Sequence, residues 1–482
     1  MMKSTKLLSL MLLICLLLTC TSCNIFNADT STTADTQNTT VSSAPDVDNN
    51  DSGSSVNVIM LNDNHGILTE DNWNLDKIAS GINYYDSIGE TVKIANGDMF
   101  QGTYVSSTLR GLPMLDALNA MDFDAFVIGN HEFDWGFDEI KKYKDGDLSN
   151  GEADFPFLGA NIYDKNTNAM VDWLEPYTIV ECDEITIGII GIIGDVETSI
   201  LSTHVKDYDF VDAKDIVKDL ASELRTVKGC DAVIVAIHGD DDSLNATFAT
   251  YTGNSRIDGI FTGHSHIPTD EEIKRADGSN ICVLQNGGYG DSFATLLMEF
   301  DKNGNLTDTD GKLNKAYRFA SNGILAPVFE KYEDELAIGD TVLMTIDQDV
   351  SRYDVGLSVV RSMYLKYNTD FAIVNSGGVR TSISAGEVTY ADVFQVLPFE
   401  NEIYIVTLSG ALLKSYLDNS ISNIYYWGID INSINDYSNY QLAIIDYVYL
   451  SDAFKNYRND SCIDTNDLLR DVFIDFIKPS AE

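Results

Sequence analysis

Gly129-Asn130-His131-Glu132-Phe133-Asp134 directly follows the apolar run Ala125-Phe126-Val127-Ile128. The run reads as a buried strand, and the glycine at its end lets the chain turn sharply. Asn130 and His131 then stand at the mouth of a parallel sheet, where open α/β folds place their ligands. The histidine map extends the pattern. Of the 6 histidines in the chain, His65, His131, His238, His264 and His266 all lie in comparable strand-end stretches, and only His204 stands apart. Histidines so few and so consistently placed argue for one shared site.

The neighbouring segments repeat the arrangement. Val56-Asn57-Val58-Ile59-Met60-Leu61 is a buried-strand pattern that runs into Asn62-Asp63-Asn64-His65-Gly66. Asp-x-His at a strand end turns both side chains to one side, as two ligands of one metal. Leu75, Ile78 and Ile82 predict a helix. Thr91 to Asn96 is the next strand and delivers Gly97-Asp98, a carboxylate suited to bridge two cations. Met114 to Met121 has helical spacing. Phe157 to Asn161 and Ile185 to Ile193 are strand-like, and Ile216 to Val227 is helical. Ala232 to Ile237 delivers His238-Gly239-Asp240, and Ile257 to Thr262 delivers Gly263-His264-Ser265-His266. Ile281 to Gln285 and Phe293 to Phe300 read as paired strands that close the domain. Strand–helix alternation of this kind defines an α/β architecture.

Asp63, His65, Asp98, Asn130, His238, His264 and His266 are seven candidate ligands of mixed nitrogen and oxygen type. That exceeds one tetrahedral zinc and suits two metals sharing a carboxylate. Two cations ~3.5–4 Å apart suit phosphate-ester hydrolysis, because they generate hydroxide from water and neutralise phosphate charge. His131 adjoins ligand Asn130 and points into the same space. Asp134, three residues on, is placed to fix its tautomer. His131 is then suited to stabilise the transferring phosphoryl group or to assist the leaving group.

These five blocks resemble those of the calcineurin-like metallophosphoesterases. Gly97-Asp98-Met99-Phe100-Gln101-Gly102, Gly159-Ala160-Asn161 and Gln285-Asn286-Gly287-Gly288-Tyr289-Gly290 resemble the 5'-nucleotidase branch in particular. The resemblance implies a four-layer α/β/β/α domain over residues 56–321. Asp63, His65, Asp98 and His266 would hold one divalent ion, and Asp98, Asn130, His238 and His264 the other. The ions would be zinc, manganese or similar. His131 and Asp134 match the family's catalytic dyad. Several relatives carry Gln where this chain has His266, so the first site is expected to be more histidine-rich.

The rest of the chain fits a second, smaller α/β domain. Val328, Tyr332 and Leu336 share one helical face after Pro327, which predicts a linker helix within 322–344. Asp370 to Val374 is a strand leading into Asn375-Ser376-Gly377-Gly378-Val379-Arg380. Paired glycines with a following arginine make an anion niche, or else a glycine turn beside a solvated arginine. Thr389-Tyr390-Ala391-Asp392 has capping-box spacing. The resemblance makes 345–482 a 5'-nucleotidase C-terminal substrate-binding domain, with Asn375, Gly377 and Arg380 in its Asn-x-Gly-Gly-x-Arg motif. Phe399 and Tyr447 would be the two aromatic residues that sandwich a base; core packing is the competing role for both. Relatives follow the second aromatic with Gly-Gly-Asp-Gly, whereas this chain reads Tyr449-Leu450-Ser451-Asp452-Ala453-Phe454-Lys455-Asn456-Tyr457. Without the glycines the loop takes another shape.

Over 482 residues the formal net charge is −44. That excludes a general binder of nucleic acid polymers, which needs a basic surface. Of the 7 cysteines, Cys15, Cys20 and Cys23 lie in the N-terminal segment, and the other four, Cys182, Cys230, Cys282 and Cys462, are scattered and form no CxxC pair. Lys3 and Lys6 precede an apolar stretch, Leu7 to Leu18, shorter than the ~20 residues that span a bilayer. The Leu18-Thr19-Cys20-Thr21-Ser22-Cys23 stretch that follows resembles a bacterial lipoprotein signal. Residues 1–22 are therefore expected to be a signal peptide, with Cys23 as the lipid site and Cys20 as the alternative. An ordinary cleaved signal would export the protein equally. Residues 23–55, rich in Ser, Thr, Asp and Asn, are expected to form a flexible tether. The expected protein is an exported, lipid-anchored hydrolase of nucleotide phosphomonoesters with no obligate protein partner. Alternatives are a 2',3'-cyclic-nucleotide phosphodiesterase, a nucleotide-sugar pyrophosphatase, or a surface lipoprotein that binds nucleotides without turnover.

Overall fold

The computed structural model describes residues 53–68 and 75–478. The expected signal peptide, nearly all of the tether and the Cys23 lipid site lie outside the described residues. No helix among the described residues is long and apolar enough to cross a membrane.

Two six-stranded sheets form the N-terminal half. In the first, β1 (Ser55–Leu61), β2 (Glu90–Asn96), β3 (Ala125–Val127) and β4 (Phe157–Leu158) run parallel. Beyond β1 the sheet continues antiparallel with β14 (Ser292–Phe300) and β15 (Leu306–Lys315). The second sheet centres on parallel β8 (Ile185–Ile193), β10 (Ala232–His238), β11 (Gly259–Phe261) and β13 (Asn280–Gln285). Its antiparallel edges are β7 (Tyr177–Cys182) and β12 (Thr269–Lys274). A small antiparallel sheet of β5 (Ile162–Asp164), β6 (Ala169–Met170) and β9 (Tyr208–Phe210) lies apart.

The twofold periodicity of a strand sorts the side chains into layers. Val56, Val58 and Met60 pack between the sheets against Ile187, Ile189 and Ile234. Ile59 and Leu61 face the other way, onto the helix Leu75–Asp86. Ile190, Ile192, Val233 and Val235 pack outward against Val217, Ala221 and Phe248 of the helices Ala213–Glu223 and Asp242–Ala249. The result is the expected α/β/β/α order. Gly191 faces the inter-sheet core, and a Cβ there would stand 2.3 Å from Leu158 Cβ. Glycine therefore lets the sheets approach at this point.

Three sequence expectations need correction. Ile281 to Gln285 and Phe293 to Phe300 do not pair with each other. The first lies in β13 between β11 and β12, and the second in β14 between β1 and β15. The chain crosses from one sheet to the other at Asn286–Asp291. The helix read to Val227 ends at Glu223 and continues as a π turn over Leu224–Lys228. The linker is two short helices, Ala326–Lys331 and Glu333–Gly339, rather than one. Tyr332 interrupts them at φ −114, ψ 21, where its hydroxyl donates to Asp116 at 2.6 Å. Leu325, Val328 and Tyr332 are buried in the N-terminal core, so this segment belongs to that domain's packing. Asp76 anchors its start, accepting from the Ser321 hydroxyl and the backbone N–H groups of Asn322, Gly323 and Leu325.

The C-terminal half has a five-stranded sheet in the order β20 (Ile424–Gly428), β17 (Phe371–Asn375), β21 (Asn439–Ile445), β19 (Glu402–Ser409), β22 (Ile463–Leu468). The helices Arg352–Tyr367, Gly410–Ser420 and Leu469–Ile477 contribute to its core. β16 (Val342–Ile346) and β18 (Gly386–Thr389) form a separate ribbon. The capping box at Thr389 and Asp392 is present. Over residues 449–457 the chain builds an aromatic plug. Phe454 is fully buried, with Tyr416, Tyr449 and Tyr457 at centroid distances of 5.0, 5.8 and 5.6 Å. Arg458 donates to the carbonyls of Tyr449 and Ser451.

Candidate dimetal centre and substrate cleft

The strand-end loops are held in unusual backbone. Asp63, His65, Asp98, His264 and His266 all have φ between 51° and 76°, and Tyr289 beside them has φ 52°. A non-glycine residue in this left-handed region costs of order 1–3 kcal/mol and persists only where the surroundings enforce it. Here they do. Asp63 N–H donates to Gly97 O, His65 N–H to Asp98 O, and Tyr289 N–H to Asp63 O. The amides of Asn62 and Asn286 bond reciprocally through four contacts and clamp the first and last loops together.

Glu132, which the sequence reading passed over, completes the scaffold. Its buried carboxylate accepts from the backbone N–H groups of Asp98, Met99 and Gly129 at 2.9, 3.1 and 2.8 Å. Burial, and then the charge of Asp98, push its pKa up to about 7. The signal was an acidic side chain between His131 and the fully buried Phe133.

On this scaffold the ligand atoms of Asp63, His65 and His266 lie within 4.8 Å of one another, as do those of Asp98, His238 and His264. Asp98 also groups with His65 and His131, which puts its carboxylate between the two halves. Asn130 Oδ1 lies 3.1 Å from His238 Nε2 and 2.8 Å from His264 Nδ1. The structure therefore gathers all seven expected ligands at one place.

The donor set fits cations. His238 Nδ1 faces the carbonyl of Asn96 at 2.9 Å, and a carbonyl only accepts, so Nδ1 carries the proton. The Nε2 lone pair is then aimed at Asp98 Oδ2, 3.2 Å away. His65 Nδ1 likewise faces Gln101 O at 3.1 Å, and its Nε2 meets His266 Nε2 at 3.1 Å. Asp63 Oδ1 is buried without a hydrogen bond, 3.2 Å from His266 Nε2. Converging lone pairs of this kind call for positive charge. Burial opposes charge on His238, yet the Asp98 carboxylate raises its pKa, so positive charge, from a proton or a cation, is favoured where Nε2 meets Asp98. Burial also opposes ionisation of Asp98, which His238 and His131 hold well below the usual carboxylate range.

His131 Nδ1 lies 2.8 Å from Asp134 Oδ2, and its backbone N–H donates to Asp98 Oδ1 at 2.8 Å. Nε2 is 3.9 Å from Asp98 Oδ2. Burial works against a charged ring, but Asp134 and Asp98 outweigh it and raise the pKa.

A cleft of about 730 Å³ opens from His131, Asp134, His264 and His266 to the C-terminal half, where Asn375, Gly377, Arg380, Phe399 and Tyr447 line it. Arg380 donates to the Tyr289 hydroxyl at 3.2 Å, and Tyr289 stacks on His65 with centroids 4.9 Å apart. Phe399 stacks on His131. The Tyr447 hydroxyl donates to Thr198 O at 2.8 Å. Arg352 also reaches the cleft, held by the carbonyls of Val379 and Ser376. Two residues that sequence reasoning left aside belong here as well: Tyr289, and His204, the histidine that stood apart.

Residues 56–268 match the calcineurin-like phosphoesterase model, and 332–458 match that of the 5'-nucleotidase C-terminal domain. The N-terminal sandwich is thus a calcineurin-like phosphoesterase domain with a donor set for two divalent ions. Joined in this order to the second domain, it makes the chain a member of the 5'-nucleotidase family. A cell wall protein of Listeria monocytogenes, Lmo0130, is 24% identical over 475 residues, covering 80% of this chain and 60% of its own. A 5'-nucleotidase of Vibrio cholerae is 27% identical over 423 residues, covering 75% of this chain and 74% of its own. The chain thus spans less than two thirds of the Listeria protein and about three quarters of the Vibrio enzyme. Among solved structures, a 5'-nucleotidase precursor from Thermus thermophilus shares the fold, with a TM-score of 0.74 and 20% identity over 88% of this chain and 96% of its own.

Proposed function

We propose that the protein hydrolyses nucleotide phosphomonoesters to nucleoside and phosphate. Asp63, His65, His266 and Asp98 would hold one divalent ion, and Asp98, Asn130, His238 and His264 the second. When bound, such ions lower the pKa of water and neutralise phosphate charge. The carboxylate of Asp134 holds His131 with Nδ1 as donor, so that Nε2 faces the cleft. His131 is suited there to donate a hydrogen bond to the transferring phosphoryl group and a proton to the departing ester oxygen. Arg380 supplies a fixed guanidinium beside Tyr289 for phosphate oxygens. Phe399 and Tyr447 offer aromatic faces for a base.

The observation that carries this function is the convergence of seven ligand side chains beside the His131–Asp134 pair. The joined cleft and the 5'-nucleotidases among the relatives support a nucleotide as the substrate. A panel of AMP, UDP-glucose and bis(p-nitrophenyl) phosphate tests it, with manganese or zinc added. AMP is expected to be the preferred substrate. Preference for UDP-glucose or the diester, with AMP untouched, would overturn the phosphomonoester assignment.

We also propose export and lipid attachment at Cys23. The N-terminal sequence supports both, and the cell wall protein among the relatives supports export. Detergent-phase partitioning of the full chain is expected, and Cys23→Ser should move it to the aqueous phase. Aqueous partitioning of the parent protein would contradict lipid attachment.

A further inference from the structure

His204 lies in the segment that joins β8 to β9, within a short helix, Ser202–Val205. Val196, Ile200 and Val205 of this segment are at most 3% exposed and belong to the N-terminal core, so its position is fixed by packing. Its other side meets the C-terminal half: Thr198 O accepts from the Tyr447 hydroxyl, and the Ser202 hydroxyl donates to Leu450 O at 3.0 Å. Ser199, Thr203 and His204 line the cleft that also holds Phe399 and Tyr447. His204 Nδ1 is buried and has no hydrogen-bond partner in the protein. The rest of the ring is only partly buried and borders the cleft, where it can meet a ligand.

Aromatic faces stack on any base and select weakly among them. Selectivity needs a group that pairs with a base edge, and a site built around such a pair penalises ligands that lack it. We propose that His204 is a specificity-determining residue, whose partly exposed imidazole edge pairs with the polar edge of the base stacked in the cleft. This rests on the nucleotide substrate proposed above. It gives base selection to the phosphoesterase half as well as to the C-terminal half.

The test is the KM and kcat of the full chain for AMP and for p-nitrophenyl phosphate, with His204→Ala and His204→Asn beside the parent protein. p-Nitrophenyl phosphate carries no base edge, so it reports on folding and on the metal centre. His204→Ala is expected to raise KM for AMP about tenfold with kcat little changed. Both constants for p-nitrophenyl phosphate should stay near those of the parent. His204→Asn, whose amide keeps a hydrogen-bonding group on the side chain, should restore part of the affinity. Equal losses on both substrates, no loss on AMP, or an Asn variant as weak as Ala would each overturn the role of His204. A parent protein that turns over p-nitrophenyl phosphate but not AMP would overturn the nucleotide assignment itself, and this inference with it.

Discussion

The ring of Phe399 lies on the ring of His131, with centroids 5.6 Å apart and planes 20° from parallel. The contact joins the C-terminal half to the phosphoesterase half beside the Asp134 carboxylate. Phe399 is held from behind: Arg470, buried under Phe394, donates to the carbonyls of Leu397 and Phe399. A base that stacks on Phe399 is thereby placed close to the side chain assigned to the leaving group.

Phe399→Ala should raise KM for AMP by about tenfold or more, since stacking contributes ~1–3 kcal/mol per base. The change for p-nitrophenyl phosphate should be smaller. Steady-state kinetics on both substrates checks this, and equal losses on both would assign Phe399 to packing of His131 alone.

His131→Ala should lower kcat by about 10²–10⁴-fold while bound metal, measured by elemental analysis, stays at the parent level. Asp134→Asn should lower kcat by about 10–100-fold, because an amide no longer supports the charged ring. Loss of metal from His131→Ala would move that residue into the ligand set.

Asp98→Ala should lose both metal and activity, since its carboxylate lies between the two ligand groups. Elemental analysis after dialysis is the readout. Two ions retained per chain would contradict a bridging role.

Glu132→Ala should cost about 3 kcal/mol or more of stability, because three buried N–H groups lose their acceptor. Glu132→Gln should cost less, since one amide oxygen still accepts. Denaturant unfolding measures both. Equal stability of the Ala variant and the parent would show that the Asp98 loop holds its shape without Glu132.

Asp446 gives a pH signature. Burial raises its pKa to about 6, against the hydrogen bonds from Tyr447 N–H and Asn401. Its folded pKa thus exceeds the unfolded value of ~3.9. The contribution is fully present below about pH 4 and is lost as pH rises through 6. Asp446→Asn should therefore stabilise the protein by about 2 kcal/mol at pH 7.5 and by little at pH 4. Unfolding curves at the two pH values decide the matter; a variant no more stable than the parent at pH 7.5 would contradict it.

The ligand positions were legible because each follows the end of an apolar strand within a few residues. Asp63, His65, Asp98, Asn130, His238, His264 and His266 are all delivered by the ends of parallel strands. Glu132 stood in plain view, but its role lies in backbone amides of the loop at Asp98 and Met99, which no periodicity reveals. Tyr289 follows the end of β13 by a few residues, but a tyrosine there gives no metal-ligand signal; His204 follows no such strand–turn signature, and only the packing of Val196, Ile200 and Val205 brings it to the cleft. The linker misled because Val328, Tyr332 and Leu336 keep one helical period straight through the break that the Tyr332–Asp116 hydrogen bond favours. β13 and β14 misled because two adjacent apolar strands look like a hairpin, whereas here they serve opposite sheets. The glycine-free stretch after Tyr447 was read as a changed loop, and the aromatic plug around Phe454 is what fills it.

Phosphate release from AMP by the metal-stripped full chain, titrated with manganese or zinc, tests the two-metal nucleotidase most directly. Turnover should be absent in chelator, rise with added metal and saturate at two ions bound per chain. Full turnover in chelator, or none with two ions bound, would contradict it.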